Sequence, residues 1–239
     1  MPSSAVSGKH ATALVLYELA RARGLRRFAD FGCGCGTYAR LFRPLIHDAS
    51  WIGVDIWPPY FREYSVQDWY DSLIVADARY VDFDKLPAFD IALFGDILEH
   101  MTREESAACI DSVLSYIPYA LFSIPLGHSP QEESHGNPWE RHVADGWTVE
   151  LLVQTFPALL TVMVDRGLAI GVLSKRPEER ALFEKLFKNI PPFLASTADE
   201  LAALPVLAEF TEPAECDAIV QSLRGFIDRY SRRRAQAGL

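Results

Sequence analysis

Apolar residues recur with two different periods along the first half of the chain. Helical spacing, with apolar positions three or four residues apart, predicts helices over 11–23, 37–46, 60–70 and 102–116. Shorter runs rich in aliphatic, β-branched and aromatic residues predict strands over 27–31, 51–56, 72–76, 89–94 and 119–124. Because strands and helices alternate at this spacing, the pattern predicts parallel βαβ units in a doubly wound α/β fold.

Two further β-rich runs, 160–165 and 168–174, are separated only by Arg166 and Gly167. A separation this short predicts a hairpin, because parallel strands need a much longer crossover. The complete pattern therefore predicts a mostly parallel, seven-stranded sheet with an antiparallel hairpin at one edge.

Two regions fall outside this alternation. Residues 125–147 form a long polar segment with several aromatic residues, and a loop of this length in a compact domain is usually functional or disordered. Residues 177–239 predict helices near 177–188, 197–204 and 213–234, with breaks at the prolines between them. We therefore divide the chain into a domain of residues 1–176 and a helical extension of residues 177–239.

The last predicted helix carries an apolar stripe at helical spacing, formed by Ile219, Val220, Leu223, Phe226, Ile227 and Tyr230. Such a stripe either covers the protein's own sheet or forms the interface of a homodimer. The pattern leaves both alternatives open.

Composition narrows the class of protein. Of the 239 residues 49% are hydrophobic, which indicates a globular chain, and the net charge of -9 disfavours a broad nucleic-acid-binding face. The four cysteines form no pattern typical of disulfides or zinc sites. No long uncharged apolar run predicts a membrane span, and residues 1–9 have no apolar signal core. We expect a cytoplasmic protein with reduced thiols.

A glycine-rich loop joins the first predicted strand to the next helix. It contains Gly32, Gly34 and Gly36, which let the backbone turn sharply and let a ligand approach closely. A dinucleotide-binding loop would need glycine where Thr37 stands. Asp30, just before the loop, suits the cationic methionine end of S-adenosylmethionine (SAM) and would repel a pyrophosphate.

More acids follow the carboxyl ends of later strands, the edge where doubly wound sheets bind ligands. Asp55 follows the second strand, where an acid can bind ribose hydroxyls, and Asp77 follows the third, near the expected adenine position. Asp96 and Glu99 follow the fourth strand. Each acid alone is also an ordinary turn residue, so the prediction depends on their combination.

The chain resembles the class I SAM-dependent methyltransferases over about residues 10–175. The resemblance is carried by the run from Phe28 to Gly36, by Asp55 and Asp77, and by residues 89–96 at the fourth strand. The resemblance implies a Rossmann-like fold and transfer of the SAM methyl group to an acceptor, with release of S-adenosylhomocysteine (SAH). It also implies a set of cofactor-binding residues: Asp30, Gly32, Cys33, Gly34, Gly36, Asp55, Ile56, Asp77, Ala78, Asp96 and Ile97.

The candidates for the acceptor chemistry are Glu99, His100 and His142 as catalytic residues, with Glu140 as a further candidate. A neutral imidazole near pH 7 can act as a general base or as a metal ligand. The alternative is that Glu99 and His100 only cap the following helix and shape the methionine pocket. His128 and His135 are expected at the surface.

The same residues are similar to a motif of the small-RNA 3′-terminal 2′-O-methyltransferases. The similarity covers Asp96, Glu99 and His100, and then Arg141-His142 ahead of Trp147-Thr148. In that family Glu, Glu, His and His hold a divalent ion, so the resemblance implies a divalent metal here. Asp96 replaces the first Glu and is shorter, and the choice between a metal site and a metal-free base therefore stays open.

Four aromatic residues, Trp57, Tyr60, Trp139 and Trp147, either wall an acceptor pocket or pack in the core. Together these observations predict a SAM-dependent methyltransferase that acts on a hydroxyl of a small molecule or sugar. A nucleic-acid or protein methyltransferase is the first alternative. A SAM-binding partner or regulator without catalytic activity is the second.

Overall fold

The computed structural model describes residues 8–46, 48–134, 136–198 and 213–236, and the side chains of the last range from residue 221. Its centre is a seven-stranded sheet in the order β3-β2-β1-β4-β5-β7-β6. The strands are β1 Arg27–Phe31, β2 Ser50–Asp55, β3 Ser72–Val75, β4 Ile91–Gly95, β5 Tyr119–Pro125, β6 Leu159–Asp165 and β7 Leu168–Leu173.

Strands β1 to β5 pair in parallel, and β7 pairs antiparallel with both β5 and β6. The predicted edge hairpin is confirmed. Its turn is formed by Arg166 and Gly167, both with positive φ, which gives the right-handed twist that a two-residue hairpin turn needs. The second hairpin strand lies inside the sheet, between β5 and β6.

Eight α-helices are described: α1 Lys9–Arg23, α2 Thr37–Phe42, α3 Pro59–Glu63, α4 Arg103–Val113, α5 Val149–Thr155, α6 Arg180–Phe187, α7 Ile190–Ser196 and α8 Pro213–Gln236. One core cluster packs α1, α2, α6, α7 and α8 on one sheet face. A second cluster packs α4 and α5 on the other face. The predicted capping box of α4 is present, with Thr102 and Glu105 bonded to each other's backbone.

Some predicted helix bounds are wrong. The helix expected over 60–70 is split into α3 and a 3-10 turn, Val66–Asp68, because Ser65 between them has left-handed backbone angles. Pro191 and Pro192 begin α7 instead of breaking a helix, since the first helical positions need no backbone N–H donor. Helix α2 ends earlier than expected, and α5 has no predicted counterpart. The helix expected over 197–204 lies almost wholly outside the described residues.

Helix α8 packs against α1. The described members of its apolar stripe, Leu223, Phe226, Ile227 and Tyr230, are all buried within the chain. Tyr230 and Arg234 also bond the buried carboxylate of Glu18 on α1, at 2.8 and 2.7 Å. Ile219 and Val220 are outside the described side chains. No helix among the described residues is both long enough and apolar enough to cross a membrane.

Candidate functional site

A cleft that is open to solvent lies at the carboxyl ends of the parallel strands. It sits where the strand order reverses, with β1 between β2 and β4, which is the usual ligand position in doubly wound sheets. All the predicted cofactor residues except Asp30 and Gly36 line this cleft. His100 also lines it.

The glycine loop forms the floor of the cleft between β1 and α2. Gly32, Gly34 and Gly36 all have positive φ, which side-chain-bearing residues rarely adopt. A Cβ on Gly32 would lie 2.6 Å from Cδ1 of Ile97, so the loop also needs glycine for space. Gly36 does not line the cleft and is the N-cap residue of α2, with a left-handed backbone conformation.

Asp55 holds this loop in place from the end of β2. Its carboxylate accepts hydrogen bonds from the backbone N–H groups of Gly34 and Trp57, both at 2.8 Å. Burial raises the pKa of Asp55 to about 6, although these hydrogen bonds lower it, and the charge of Glu140 adds to the rise. The two carboxylates are therefore neighbours in one cleft.

Asp77 begins the 3-10 turn Ala78–Tyr80 after β3 and accepts a bond from the Arg79 backbone at 2.9 Å. The Arg79 guanidinium binds the same carboxylate and also pairs with Glu105. Burial alone would raise the pKa of Asp77, but its bonds to Arg79 outweigh burial and lower it. Asp77 therefore stays charged beside the cleft.

Asp30 lies beneath the loop and is only 1% exposed. One oxygen of its carboxyl group accepts a hydrogen bond from the Tyr70 hydroxyl at 2.6 Å, and no partner for the other oxygen lies among the described residues. Burial raises the pKa of Asp30 to about 7. Asp30 does not line the cleft, and its action on the methionine end of SAM, directly or through water, stays a prediction.

Asp96, at the end of β4, is held by a residue that the sequence did not single out. Lys9 of α1 is 1% exposed, and its ammonium lies 3.0 Å from Asp96 and 2.9 Å from the Tyr38 hydroxyl. Ser123 donates to the other Asp96 oxygen at 2.9 Å. Burial lowers the Lys9 pKa, but the charges of Asp96 and Tyr38, together with the hydrogen bonds to both, more than reverse this. No local pattern marks Lys9, because every residue from Lys9 to Leu16 is buried and burial therefore has no helical period there.

Glu99, His100 and His142 meet beside the cleft. One potential ligand atom from each lies within 4.8 Å of the others. The two imidazole rings meet edge to face, with centroids 4.9 Å apart. Glu99 is 1% exposed, and the residues that the structure describes offer its Oε2 no hydrogen-bond partner. Burial, with the Asp96 charge, raises the Glu99 pKa, and burial lowers the His100 pKa.

Backbone carbonyl groups fix both rings. Nδ1 of His100 bonds the Arg141 carbonyl at 3.0 Å, and Nδ1 of His142 bonds the Ser129 carbonyl. Because a carbonyl oxygen only accepts, each neutral ring has its proton on Nδ1 and a lone pair on Nε2. Metal-binding histidines commonly have this arrangement. Asp96, bonded to Lys9, is not a member of the cluster.

The segment 125–147 contributes to both parts of the site. It supplies His142 to the cluster, while Asn137, Trp139 and Glu140 line the cleft. Tyr60 also lines it. Trp147 is buried and stacks on Phe156, so it is a packing residue. His128 is exposed as expected, and His135 lies outside the described residues.

Comparisons with protein-family models and with curated sequences find no match. Solved structures do match. A SAM-dependent methyltransferase from Clostridium acetobutylicum superposes with a TM-score of 0.53 at 12% identity, covering 71% of this chain and 92% of that one. The small RNA methyltransferase HEN1 superposes with a TM-score of 0.52 at 18% identity, covering 72% of this chain and 27% of HEN1. The fold is that of the class I SAM-dependent methyltransferases.

A protein of Nostoc punctiforme that carries an O-methyltransferase assignment has the same methyltransferase fold. It superposes with a TM-score of 0.52 at 13% identity over 70% of this chain. The chain spans about half of the Nostoc protein (56%) and about a quarter of HEN1 (27%). The resemblance that the sequence motifs indicated is thus confirmed at the level of the fold. The acceptor has to be inferred from the site.

Proposed function

We propose that this chain is a SAM-dependent methyltransferase that methylates a hydroxyl oxygen of a small molecule or sugar. The observation that carries the proposal is the cluster of Glu99, His100 and His142 beside the cleft. The cofactor assignment is supported by the methyltransferase fold, by the glycine loop and by the acids that follow β2, β3 and β4.

The cofactor occupies the cleft in this proposal. The backbone of Gly32 to Gly34 lets it approach closely, Asp55 accepts from ribose hydroxyls, and Asp77 faces the adenine end. Asp96 lies at the methionine end, where its carboxylate offsets the positive charge of the ammonium group. The chain then aligns the acceptor with the sulfonium methyl group and excludes water from the reacting atoms.

The cluster favours an oxygen acceptor. A hydroxyl group must lose its proton as it is methylated, whereas a neutral amine already has a lone pair to attack with. His100 and His142 each present an unprotonated Nε2, and the buried Glu99 carboxyl group lies beside the two rings. A group that only had to bind an amine would not need two such bases.

The three side chains also fit a divalent cation. Two imidazole nitrogens and one carboxylate oxygen suit Mn²⁺, Co²⁺ or Zn²⁺ better than Mg²⁺. The unpartnered Oε2 of Glu99 is the feature that a cation would satisfy. When bound, such an ion would lower the pKa of an acceptor hydroxyl group. If no ion is needed, His142 takes the proton itself.

Replacing His142 by alanine tests the proposal. We expect methyl transfer from radiolabelled SAM to fall at least 100-fold while SAH affinity, measured by calorimetry, stays within twofold, because His142 does not line the cofactor cleft. The matched control is His128→Ala, which removes an exposed histidine of the same segment.

The acceptor panel contains sugars, phenols, nucleosides, amines and RNA. Methylation of amines alone, or an active His142→Ala variant, would contradict hydroxyl methylation through the cluster. SAH binding with no methylated acceptor in the panel or in cell extract would favour the non-catalytic alternative. A chelator distinguishes the two mechanisms. Loss of activity with the chelator, and its return with Mn²⁺ or Co²⁺, would support a bound divalent cation, whereas unchanged activity would support His142 as a base without metal.

A further inference from the structure

Glu140 faces the cofactor cleft from a segment that lies far from Asp55 in sequence. It is 8% exposed and ends the 3-10 turn Pro138–Glu140, which Asn137 caps by accepting from the Trp139 backbone at 3.0 Å. The Tyr60 hydroxyl of α3 donates to its Oε1 at 3.0 Å. Two elements therefore aim this carboxylate into the cleft.

Two carboxylates at the wall of one cleft repel each other unless hydrogen-bond donors reach both of them. The Asp55 oxygens already hold the glycine loop, and the charge of Glu140 raises the pKa of Asp55 beyond the effect of burial. Neutral hydroxyl donors between the two groups would relieve this repulsion, because each carboxylate oxygen can accept a second hydrogen bond.

We propose that Glu140 is a second ribose-binding acid, which shares the vicinal diol of SAM with Asp55. One ribose hydroxyl donates to Asp55 and the other donates to Glu140. A vicinal diol supplies two neutral O–H donors. Asp55 and Glu140 can each accept one of them, and no further charge is added to the cleft. This inference rests on the proposed SAM-dependent function.

The assignment also connects the cofactor to the acceptor cluster. Gln131 donates from Nε2 to the Glu140 backbone carbonyl at 2.6 Å and to Oε2 of Glu140 at 3.3 Å, and the Gln131 backbone carbonyl accepts from the His142 backbone N–H at 3.0 Å. Glu140 and His142 are thus fixed by the same residue within one short stretch of chain.

The test is the affinity for SAH of the full chain and of Glu140→Gln, measured by calorimetry. Gln keeps the shape and one acceptor oxygen but loses the charge, and charge-assisted hydrogen bonds are about twice as strong as neutral ones. We expect SAH to bind about 10-fold more weakly. The matched control, Glu133→Gln, removes an exposed carboxylate of the same segment and should leave SAH affinity unchanged.

Analogues of SAH that lack the ribose 2′- or 3′-hydroxyl group separate contact from indirect effects. If Glu140 binds one hydroxyl, Glu140→Gln should lose affinity for SAH but lose almost none for the analogue without that hydroxyl. The inference is overturned if Glu140→Gln binds SAH like the unmodified chain, or if its loss is equal for SAH and both analogues. The melting temperature shows whether the variant is folded.

Should Glu140→Gln fail to fold, Tyr60→Phe serves instead, because it removes only the hydroxyl that holds Oε1 of Glu140. It should weaken SAH several-fold with the same dependence on one ribose hydroxyl, and an unchanged affinity overturns the inference. Failure of the unmodified chain to bind SAH would instead overturn the proposed function. The two failures are therefore distinguishable.

Discussion

Asp30 has a carboxyl group shut off from water beneath the glycine loop. From the described part of the chain, the one side-chain hydrogen bond to its carboxyl group comes from the Tyr70 hydroxyl, and burial raises its pKa to about 7, from an ordinary value of 3.8. The folded chain therefore binds a proton at Asp30 over a pH range in which the unfolded chain has lost it. Because proton binding is linked to folding, this difference in pKa makes the free energy of unfolding depend on pH.

A raised carboxyl pKa stabilises the fold fully below about pH 4, and this contribution is lost as the pH rises through about 7. We expect Asp30 to contribute a fall of about 2–3 kcal/mol in the free energy of unfolding between pH 5 and pH 8, at roughly 1.4 kcal/mol per pKa unit, in addition to the contributions of Asp55 and Glu99, whose pKa values are also raised. In Asp30→Asn most of that fall should disappear. Urea unfolding at several pH values measures it. Asp228→Asn, at an exposed position, should keep the full dependence on pH, and an unchanged profile in Asp30→Asn would contradict the assignment.

At this scale the sequence predicted the parts of the site that depend on local pattern. The glycines and the acids at strand ends can be recognised because each lies at a fixed place relative to a strand. The positions of Lys9 and Glu140 could not be predicted in this way. Lys9 reaches Asp96 across 87 positions of the chain, and Tyr60 reaches Glu140 across 80. Such contacts are decided by packing, which a local pattern does not contain.

At the scale of elements, two glycines show two different reasons for having no side chain. Gly95 ends β4, and a Cβ there would lie 1.8 Å from Cε2 of Tyr38, whose hydroxyl bonds Lys9 and Ser123. Gly167 in the hairpin turn has no atom within 4 Å of such a Cβ, but its φ is 81°. Space is the constraint at Gly95, and backbone conformation is the constraint at Gly167.

We expect Gly95→Ala to destabilise the chain by about 3 kcal/mol or more, because β4 and α2 must separate to admit the methyl group. Gly167→Ala should cost only about 1–2 kcal/mol, the usual penalty of a left-handed alanine. Urea unfolding of both variants gives the comparison. Gly95→Ala should also weaken SAH, since both Gly95 and Tyr38 line the cleft. Equal costs for the two variants would contradict this explanation.

The alternation of strands and helices could be predicted because the two hydrophobic periods recur in turn along the part of the sequence that forms the parallel strands. The errors have local causes. A left-handed Ser65 divides the helix expected over 60–70, and prolines expected to end a helix instead begin α7. Helix α5 was missed because its apolar stripe is only two turns long, although Thr148 caps it by accepting from the Leu151 backbone.

For the whole molecule, the contact between α1 and α8 is the main connection between the ends of the described chain. Glu18 is completely buried there and binds Tyr230, Arg234 and Arg21. Removing one member of a buried ion pair leaves the others without their partner, which usually costs several kcal/mol.

We expect Glu18→Ala to lower the free energy of unfolding by about 3 kcal/mol, with little change in SAH affinity at temperatures where the variant is folded. The control Glu178→Ala, at an exposed glutamate, should change stability by less than about 0.5 kcal/mol. Urea unfolding and calorimetry measure the two effects. A loss below about 1 kcal/mol for Glu18→Ala would show that α1 and α8 are not joined through this carboxylate.

The bond between Glu18 and Tyr230 joins residues 212 positions apart. During synthesis α1 is made before α8. Glu18 can therefore bind Tyr230 and Arg234 only after α8 has been made. The strands between them can pair earlier, because their contacts are closer in sequence, while the apolar face of α1 stays incomplete. Folding during synthesis therefore leaves the part of this face that α8 covers exposed until late, and in this period the nascent chain is most open to aggregation and most dependent on chaperones.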